Sequence, residues 1–219
     1  MKPCHVMLID DHQIIREGLQ NILEGRPDYI LTSEVDSAEK GYELCSKQLP
    51  DLLIIDLALP GMGGIELLRR LKKRWPELKI MVFSIYSNPQ LVKRAIEAGA
   101  LSYVTKSSAR NSIIEAIEST AQGCRFISPD LLNISDNRTS ASKQSPLQHL
   151  TVKELEIFRL LTIGHATGEI ALRMFISAKT VSNNISIIKK KLNVSSTHEL
   201  IHLAIREGLI VNEALPFDK

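Results

Sequence analysis

The residues LIIDLALPGMGG, positions 53–64, decide the fold class. Leu52–Ile55 is an apolar run without two-residue alternation, which is how a strand covered on both faces of a sheet reads. Asp56 ends the run abruptly, and Pro60, Gly61, Gly63 and Gly64 then mark a loop. Four similar runs flank this one: Val6–Ile9, Tyr29–Val35, Ile80–Phe83 and Ala100–Val104. Between them lie amphipathic segments with helix signals. Asp36 and Glu39 have capping-box spacing, Asn88–Pro89 offers an N-cap followed by proline, Gly25, Gly99 and Gly123 stand at stops, and Trp75–Pro76 ends another helix. Five strand-plus-helix units predict a doubly wound α/β domain with a five-stranded parallel sheet over residues 1–123. Its chemistry is expected at the carboxyl ends of the strands.

Composition narrows the remaining possibilities. The chain has 219 residues, 44% apolar and 24% charged, as expected of a globular protein of one or two domains. Apolar runs such as Val6–Ile9 fall far short of the about 20 residues of a membrane span, and acidic residues interrupt the N-terminus before a secretory signal can form. No membrane role and a cytoplasmic location are therefore expected. Cys4, Cys45 and Cys124 are few, odd in number and far apart, and are expected as buried thiols in a reducing compartment. The net charge of +2 divides as −1 over residues 1–123, +1 over 124–147 and +2 over 148–219. Any claim of nucleic-acid binding must therefore rest on where the charges sit.

Residues 133–146, NISDNRTSASKQSP, hold eleven polar residues and a proline in fourteen positions. They read as the heart of a linker over 124–147, with a span of roughly 20 Å if flexible. Residues 148–219 read as a small all-helical domain. Thr151 with Glu154, and Ser196 with Glu199, are capping boxes, and helices near 167–174 and 178–192 are separated by a turn at Phe175–Ser177. A short helix, a tight turn and a longer helix suggest helix-turn-helix. Val181, Ile185, Ile188 and Leu192 form a stripe about 60° wide, while Lys179, Ser182, Asn183, Ser186 and Lys190 lie opposite. Short polar groups there suit base edges, with Asn183 able to pair with adenine, and Lys189, Lys190 and Lys191 suit phosphates.

Asp10 and Asp11, Asp56, Ser84, Tyr103 and Lys106 fall at or just beyond successive strand ends, so one sheet edge gathers them. Clustered carboxylates repel unless a cation is present, and an all-oxygen site suits Mg²⁺. An aspartate, a hydroxyl and a lysine beside such a cation are the parts needed to receive a phosphoryl group.

On the motifs LIDDH (8–12), LIIDLALPGMGG (53–64), MVFS (81–84) and GALSYVTK (99–106), the first 120 or so residues resemble the receiver domain of two-component response regulators. The resemblance includes Pro60 and Gly64. It implies that Asp56 accepts phosphate from a sensor histidine kinase, and that Mg²⁺ is held by Asp11 directly, Asp10 through water, Asp56 and the backbone carbonyl of Ala58. It also implies that Ser84, Tyr103 and Lys106 respond to the phosphate. Such a domain is not an enzyme in the ordinary sense, though it promotes its own phosphotransfer and dephosphorylation. The lysine is followed by Ser107, where receivers often have proline. Residues 150–194 resemble the LuxR-type helix-turn-helix, through Leu150–Thr151, Glu154, Gly164, Glu169–Ile170–Ala171, Ile176–Ser177, Lys179–Thr180–Val181 and Lys191–Leu192. The whole chain thus resembles a NarL/FixJ-type transcription regulator. That implies double-stranded DNA as partner, a homodimer on DNA, and contacts from Lys179, Thr180, Ser182, Asn183, Ser186, Lys189 and Lys190.

Other readings compete. The chain departs from the LuxR pattern at Lys153, and its departures at Gly168, Ser182, Asn184 and Ser186 motivate a phosphorylation-controlled protein-interaction module without sequence-specific DNA binding. A phosphatase of haloacid-dehalogenase type needs a second acid two residues after its nucleophile, where this chain has Ala58. GMGG follows no GxGxxG dinucleotide pattern. His198–Glu199–Leu200–Ile201–His202 spells the HExxH of zinc peptidases, but Glu199 is already the capping-box acid of Ser196.

Overall fold

The computed structural model describes residues 2–59, 61–131 and 146–206. Pro60 and nearly all of the linker core, 132–145, lie outside the described residues, as does 207–219. The chain divides into two compact units, Met1–Ser142 and Lys143–Lys219.

The first unit alternates strand and helix: β1 Cys4–Ile9, α1 Gln13–Glu24, β2 Tyr29–Val35, α2 Ala38–Lys47, β3 Leu52–Ile55, α3 Gly64–Arg74, β4 Lys79–Ser84, α4 Pro89–Glu97, β5 Ser102–Thr105, α5 Arg110–Ala121 and β6 Phe126–Ile127. All neighbouring strands are parallel, in the order β2-β1-β3-β4-β5-β6. The sheet therefore has six strands where five were expected. The extra strand is two residues long, too short for any periodicity to reveal. It comes from the stretch expected as linker and pairs with Ser102 and Tyr103 of β5.

Burial explains the sequence pattern. β3 is buried throughout, whereas the edge strand β2 alternates half-buried and exposed residues. On one face Leu19 and Leu23 of α1 and Ile113, Ala116 and Ile117 of α5 cover Val6, Leu8, Ile54 and Phe83. On the other, α2 lies so close to β1 that a side-chain carbon at Gly41 would stand 2.1 Å from Ile9 Cδ1. Asn88 caps α4 by accepting from the Gln90 amide at 2.8 Å, and Trp75 caps the end of α3. The Asp36–Glu39 box does not form: Asp36 binds Lys40 Nζ at 2.7 Å, and Glu39 accepts from the Met62 amide at 3.0 Å. The cysteine expectation holds only in part, since Cys45 is buried, Cys4 is half-buried and Cys124 is exposed.

Register places the strand ends. Ile9 pairs with Ile55 and Ile55 with Val82, so Asp10 and Asp56 emerge side by side at one edge. Ser84 pairs with Thr105, which puts Lys106 at the same edge.

The second unit has a 3₁₀ turn at Pro146–His149, then α6 Val152–Thr162, α7 Thr167–Arg173, α8 Ala178–Leu192 and α9 Thr197–Arg206. α6 and α7 pack on α8, and α9 packs on α6. The α7–α8 turn passes through Phe175 at φ 53°, and α8 ends on Asn193 at φ 54°, a left-handed cap. Thr151 and Glu154 form the expected capping box, with Thr151 N donating to Glu154 Oε2 at 2.7 Å. Glu154 also receives Lys191 Nζ at 2.8 and 2.7 Å, which ties the start of α6 to the end of α8.

Burial alone would raise the Glu154 pKa, but the bonds from Lys191 and Thr151 outweigh it and hold the carboxyl low. The stabilisation is therefore present above the unfolded carboxylate value of about 4.3 and is lost as pH falls through the lower folded value. Glu154→Ala is expected to cost the helical unit about 1–2 kcal/mol at neutral pH in urea denaturation. That deficit should shrink as wild type and variant are compared at increasingly acidic pH.

Candidate functional site

The edge above β1, β3, β4 and β5 brings six expected residues together. Asp10, Asp56 and Ser84 are buried although polar, and Asp11 is half-buried beside them. Lys106 enters from the end of β5, its Nζ 2.7 Å from Asp10 Oδ2 and 2.7 Å from Asp56 Oδ2. The other oxygen of Asp56 accepts from Ser84 Oγ at 2.8 Å and from the Ala58 amide at 3.2 Å. The loop after Asp56 folds back tightly. Gly64 N donates to Leu57 O at 3.1 Å, and a side-chain carbon at Gly64 would lie 2.1 Å from the Asp56 carbonyl oxygen. Backbone contact at that range leaves room only for glycine.

Tyr103 is fully buried beneath this edge and donates to the Tyr86 carbonyl at 2.8 Å. Burial and the charge on Asp56 both push its phenol up, so it stays neutral. Desolvation is the largest influence on Lys106 and works against its charge. The charges and hydrogen bonds of Asp56 and Asp10 prevail, and the ammonium is held above its usual value. For Asp11, burial followed by the negative charges of Asp56 and Asp10 prevails over His12 and Lys106, and its carboxyl is pushed up. The pocket thus holds more negative charge than one lysine satisfies.

Two groups here went unassigned from sequence. His12 lies within the quoted LIDDH motif. Its Nδ1 is 2.8 Å from Asp11 Oδ1 and 3.2 Å from Asp10 Oδ1, and its amide donates to Asp10 Oδ1 at 2.9 Å. Arg16 donates to the Asp10 carbonyl at 2.9 Å. Neither has a spacing signal that separates it from an ordinary residue of a first helical turn.

The pocket fits a hard divalent cation. Ligand atoms of Asp10, Asp11, His12 and Asp56 all lie within 4.8 Å of one another. Asp11 Oδ1 is buried and receives no hydrogen bond, although His12 Nδ1 lies 2.8 Å from it. Carboxylate oxygens in this number, one of them unsatisfied, suit an ion that prefers oxygen ligands.

In the second unit, Lys179, Ser182, Asn183, Ser186 and Lys190 are exposed along α8, while Val181, Ile188 and Leu192 are buried and Ile185 is half-buried. The hydroxyls of Ser182 and Ser186 donate to the carbonyls four residues back, at 3.1 Å each, which leaves their oxygens free to accept. Thr180 and Lys189 stand on the flanks: Thr180 Oγ1 is 2.8 Å from Ser177 Oγ, and Lys189 Nζ reaches Ser195 O at 3.4 Å. Lys191 faces Glu154 instead of joining the other lysines. Ile187, 44% exposed, borders the polar face and was not expected there. Glu199 binds Ser195 and Ser196, and His198 and His202 stack at 5.5 Å; neither belongs to a group of three or more clustered metal-ligating side chains among the described residues.

Residues 6–118 match the family model of the response regulator receiver domain, and residues 148–204 match that of the LuxR family of bacterial regulatory proteins. The transcriptional activator protein ExaE of Pseudomonas putida is 38% identical over 208 residues, covering 94% of this chain and 97% of its own. The response regulator UvrY of Escherichia coli K12 is 31% identical over 217 residues, covering 96% and 98%. Among solved structures, RcsB of Salmonella enterica serovar Typhimurium, bound to promoter rprA in the presence of the phosphomimetic BeF3⁻, superposes with a TM-score of 0.63 at 26% identity. That match covers 91% of this chain and 98% of that one.

Lys106 is the cation that keeps two adjacent buried carboxylates compatible with folding. Lys106→Met is expected to lower stability by about 3 kcal/mol in chemical denaturation. Millimolar Mg²⁺ should restore part of that loss, because a second cation then meets the same charges.

Proposed function

Because the chain belongs to the response regulators that join a receiver domain to a LuxR-type helix-turn-helix, and is a phosphorylation-regulated DNA-binding transcription regulator, we propose that Asp56 is its phosphoacceptor and α8 its DNA-reading helix. The observation that carries the first assignment is the bridge from Lys106 Nζ to both Asp10 and Asp56 at 2.7 Å, with Ser84 on the remaining Asp56 oxygen.

The donor is a sensor histidine kinase. An Asp56 carboxylate oxygen attacks phosphorus, the bond from phosphorus to the kinase imidazole nitrogen breaks, and that nitrogen keeps the electron pair. Lys106 and Ser84, which now hold Asp56, turn to the new phosphoryl oxygens. Tyr103, already inward, takes up the space Ser84 vacates. Asp10, Asp11, Asp56 and the Ala58 carbonyl would hold Mg²⁺, which would supply positive charge against the charge developing on the phosphoryl group. The phosphoryl group carries about −1.5 to −2 where the carboxylate carried −1, and the change repacks the β4–α4–β5 face. The receiver thereby promotes its own phosphotransfer and dephosphorylation without turning over a separate substrate.

On α8, Asn183 and Ser182 reach base edges, while Lys179, Lys190 and the flanking Lys189 reach phosphates. Thr180 fixes the start of the helix, and Ser186 extends the polar face. RcsB was solved as dimers on DNA, and a homodimer of this chain likewise presents two copies of α8 to half-sites one turn apart. No described helix is long and apolar enough to cross a membrane. The DNA-binding family is what supports a cytoplasmic location.

Incubation of the full chain with labelled acetyl phosphate and Mg²⁺ is expected to label wild type and leave Asp56→Ala unlabelled; persistent label would remove Asp56 from its role. In duplexes selected from random sequence, Asn183→Ala is expected to lose about 1–3 kcal/mol of discrimination at one base position. Lys190→Ala should weaken all sequences alike and lower the salt slope by about 1.

A further inference from the structure

The residues that leave the first unit are fastened to the strand that carries the candidate phosphate site. β6, Phe126–Ile127, lies beside β5, and the next amide, Ser128 N, donates to the Tyr103 carbonyl at 3.0 Å. Two residues on, the Asp130 carboxylate meets the loop that follows Lys106. Thr105 Oγ1 donates to Asp130 Oδ2 at 2.7 Å, and Ser108 Oγ donates to Asp130 Oδ1 at 3.1 Å. Ser107 Oγ lies 3.0 Å from the same Thr105 oxygen. Leu131, buried, and Ile127 then line a groove with Pro89, Val92 and Ile96 of α4.

Asp130 faces solvent, where a carboxylate is ordinarily hydrated. Here serine and threonine hydroxyls converge on it instead. Burial disfavours its charge, yet the hydroxyls of Thr105 and Ser108 hold its carboxyl below the usual range. Thr105 is fully buried, pairs with Ser84 across the sheet and immediately precedes Lys106, whose own amide donates to the Ser84 carbonyl at 2.8 Å. A backbone shift at Lys106 or Ser84 on phosphoryl binding would therefore be passed to Thr105, the residue that Asp130 holds. Ser107 and Ser108 also acquire a purpose, as part of the cluster that receives the exit segment.

We infer that Asp130 is a positioning residue: through Thr105 and Ser108 it links the phosphate-sensing end of β5 to the segment leading out of the receiver, so that occupancy of the Asp56 site is felt at residues 126–131. This rests on the phosphoacceptor assignment above. Asp130 itself touches neither phosphate nor cation.

The test is amide hydrogen exchange on the full chain with and without beryllofluoride and Mg²⁺, following peptides that cover 103–108 and 124–131. In wild type both regions change, the second by about five-fold or more in exchange rate. In Asp130→Ala the 103–108 response persists while that at 124–131 falls below about two-fold. Thr105→Ser keeps the hydroxyl and behaves as wild type. Thr105→Val reproduces Asp130→Ala, and the double variant is no worse than either. Cooperative thermal unfolding of each variant shows that the fold is retained. An unchanged 124–131 response in Asp130→Ala overturns the inference, as does a wild type that responds only at 103–108. Loss of both responses in Asp130→Ala also overturns it, because Asp130 would then be supporting the site itself. Absence of any response in wild type instead removes the phosphoacceptor reading beneath it.

Discussion

Two carboxylates forced together at the end of a parallel sheet set the terms for the rest of the receiver. The register of β1, β3 and β4 leaves Asp10 and Asp56 adjacent and buried. Their repulsion in a poorly solvated pocket makes a cation a structural requirement. Lys106 meets it in part, and Asp11, with one buried oxygen that receives no hydrogen bond, adds a third carboxylate beside the pair. A pocket in that condition is chemically suited to a divalent cation.

The helical unit solves a different problem, which is to hold one helix with its polar side outward. α8 buries Val181, Ile188 and Leu192, and Lys191 is drawn back to Glu154 at the start of α6. Four lysines on one helix thus divide by role. One braces the fold, one leans along a flank, and two stand on the open face. The modest net charge of the domain is no obstacle, because a groove-reading surface depends on which charges remain outward.

Much of this was legible in the sequence because parallel strands buried on both faces read as apolar runs, and a run ending in aspartate, serine or lysine announces its edge. Asp10, Asp11, Asp56, Ser84 and Lys106 share that edge and Tyr103 lies beneath it on those grounds, joined by the receiver-like motifs. What escaped depended on partners distant in sequence or on elements too short for a period. β6 has two residues. Asp130 finds Thr105 across 25 positions and Lys191 finds Glu154 across 37. The Asp36–Glu39 spacing looked like a cap, but Lys40 and the Met62 amide competed for the same oxygens. Helical angle had already left Thr180 and Lys189 off the outward face of α8, whereas the exposure of Ile187 at its border depends on how α8 is seated on its neighbours.

The central claim is that one divalent cation unites carboxylates from two strand ends around Asp56. The most direct measurement is a Mg²⁺ titration followed by the side-chain carboxyl carbon resonances of the aspartates. The account predicts that Asp10, Asp11 and Asp56 shift together and saturate with a single ion, while a remote carboxyl such as Asp36 stays fixed. Independent responses among the three, or shifts no larger than those of Asp36, would contradict it.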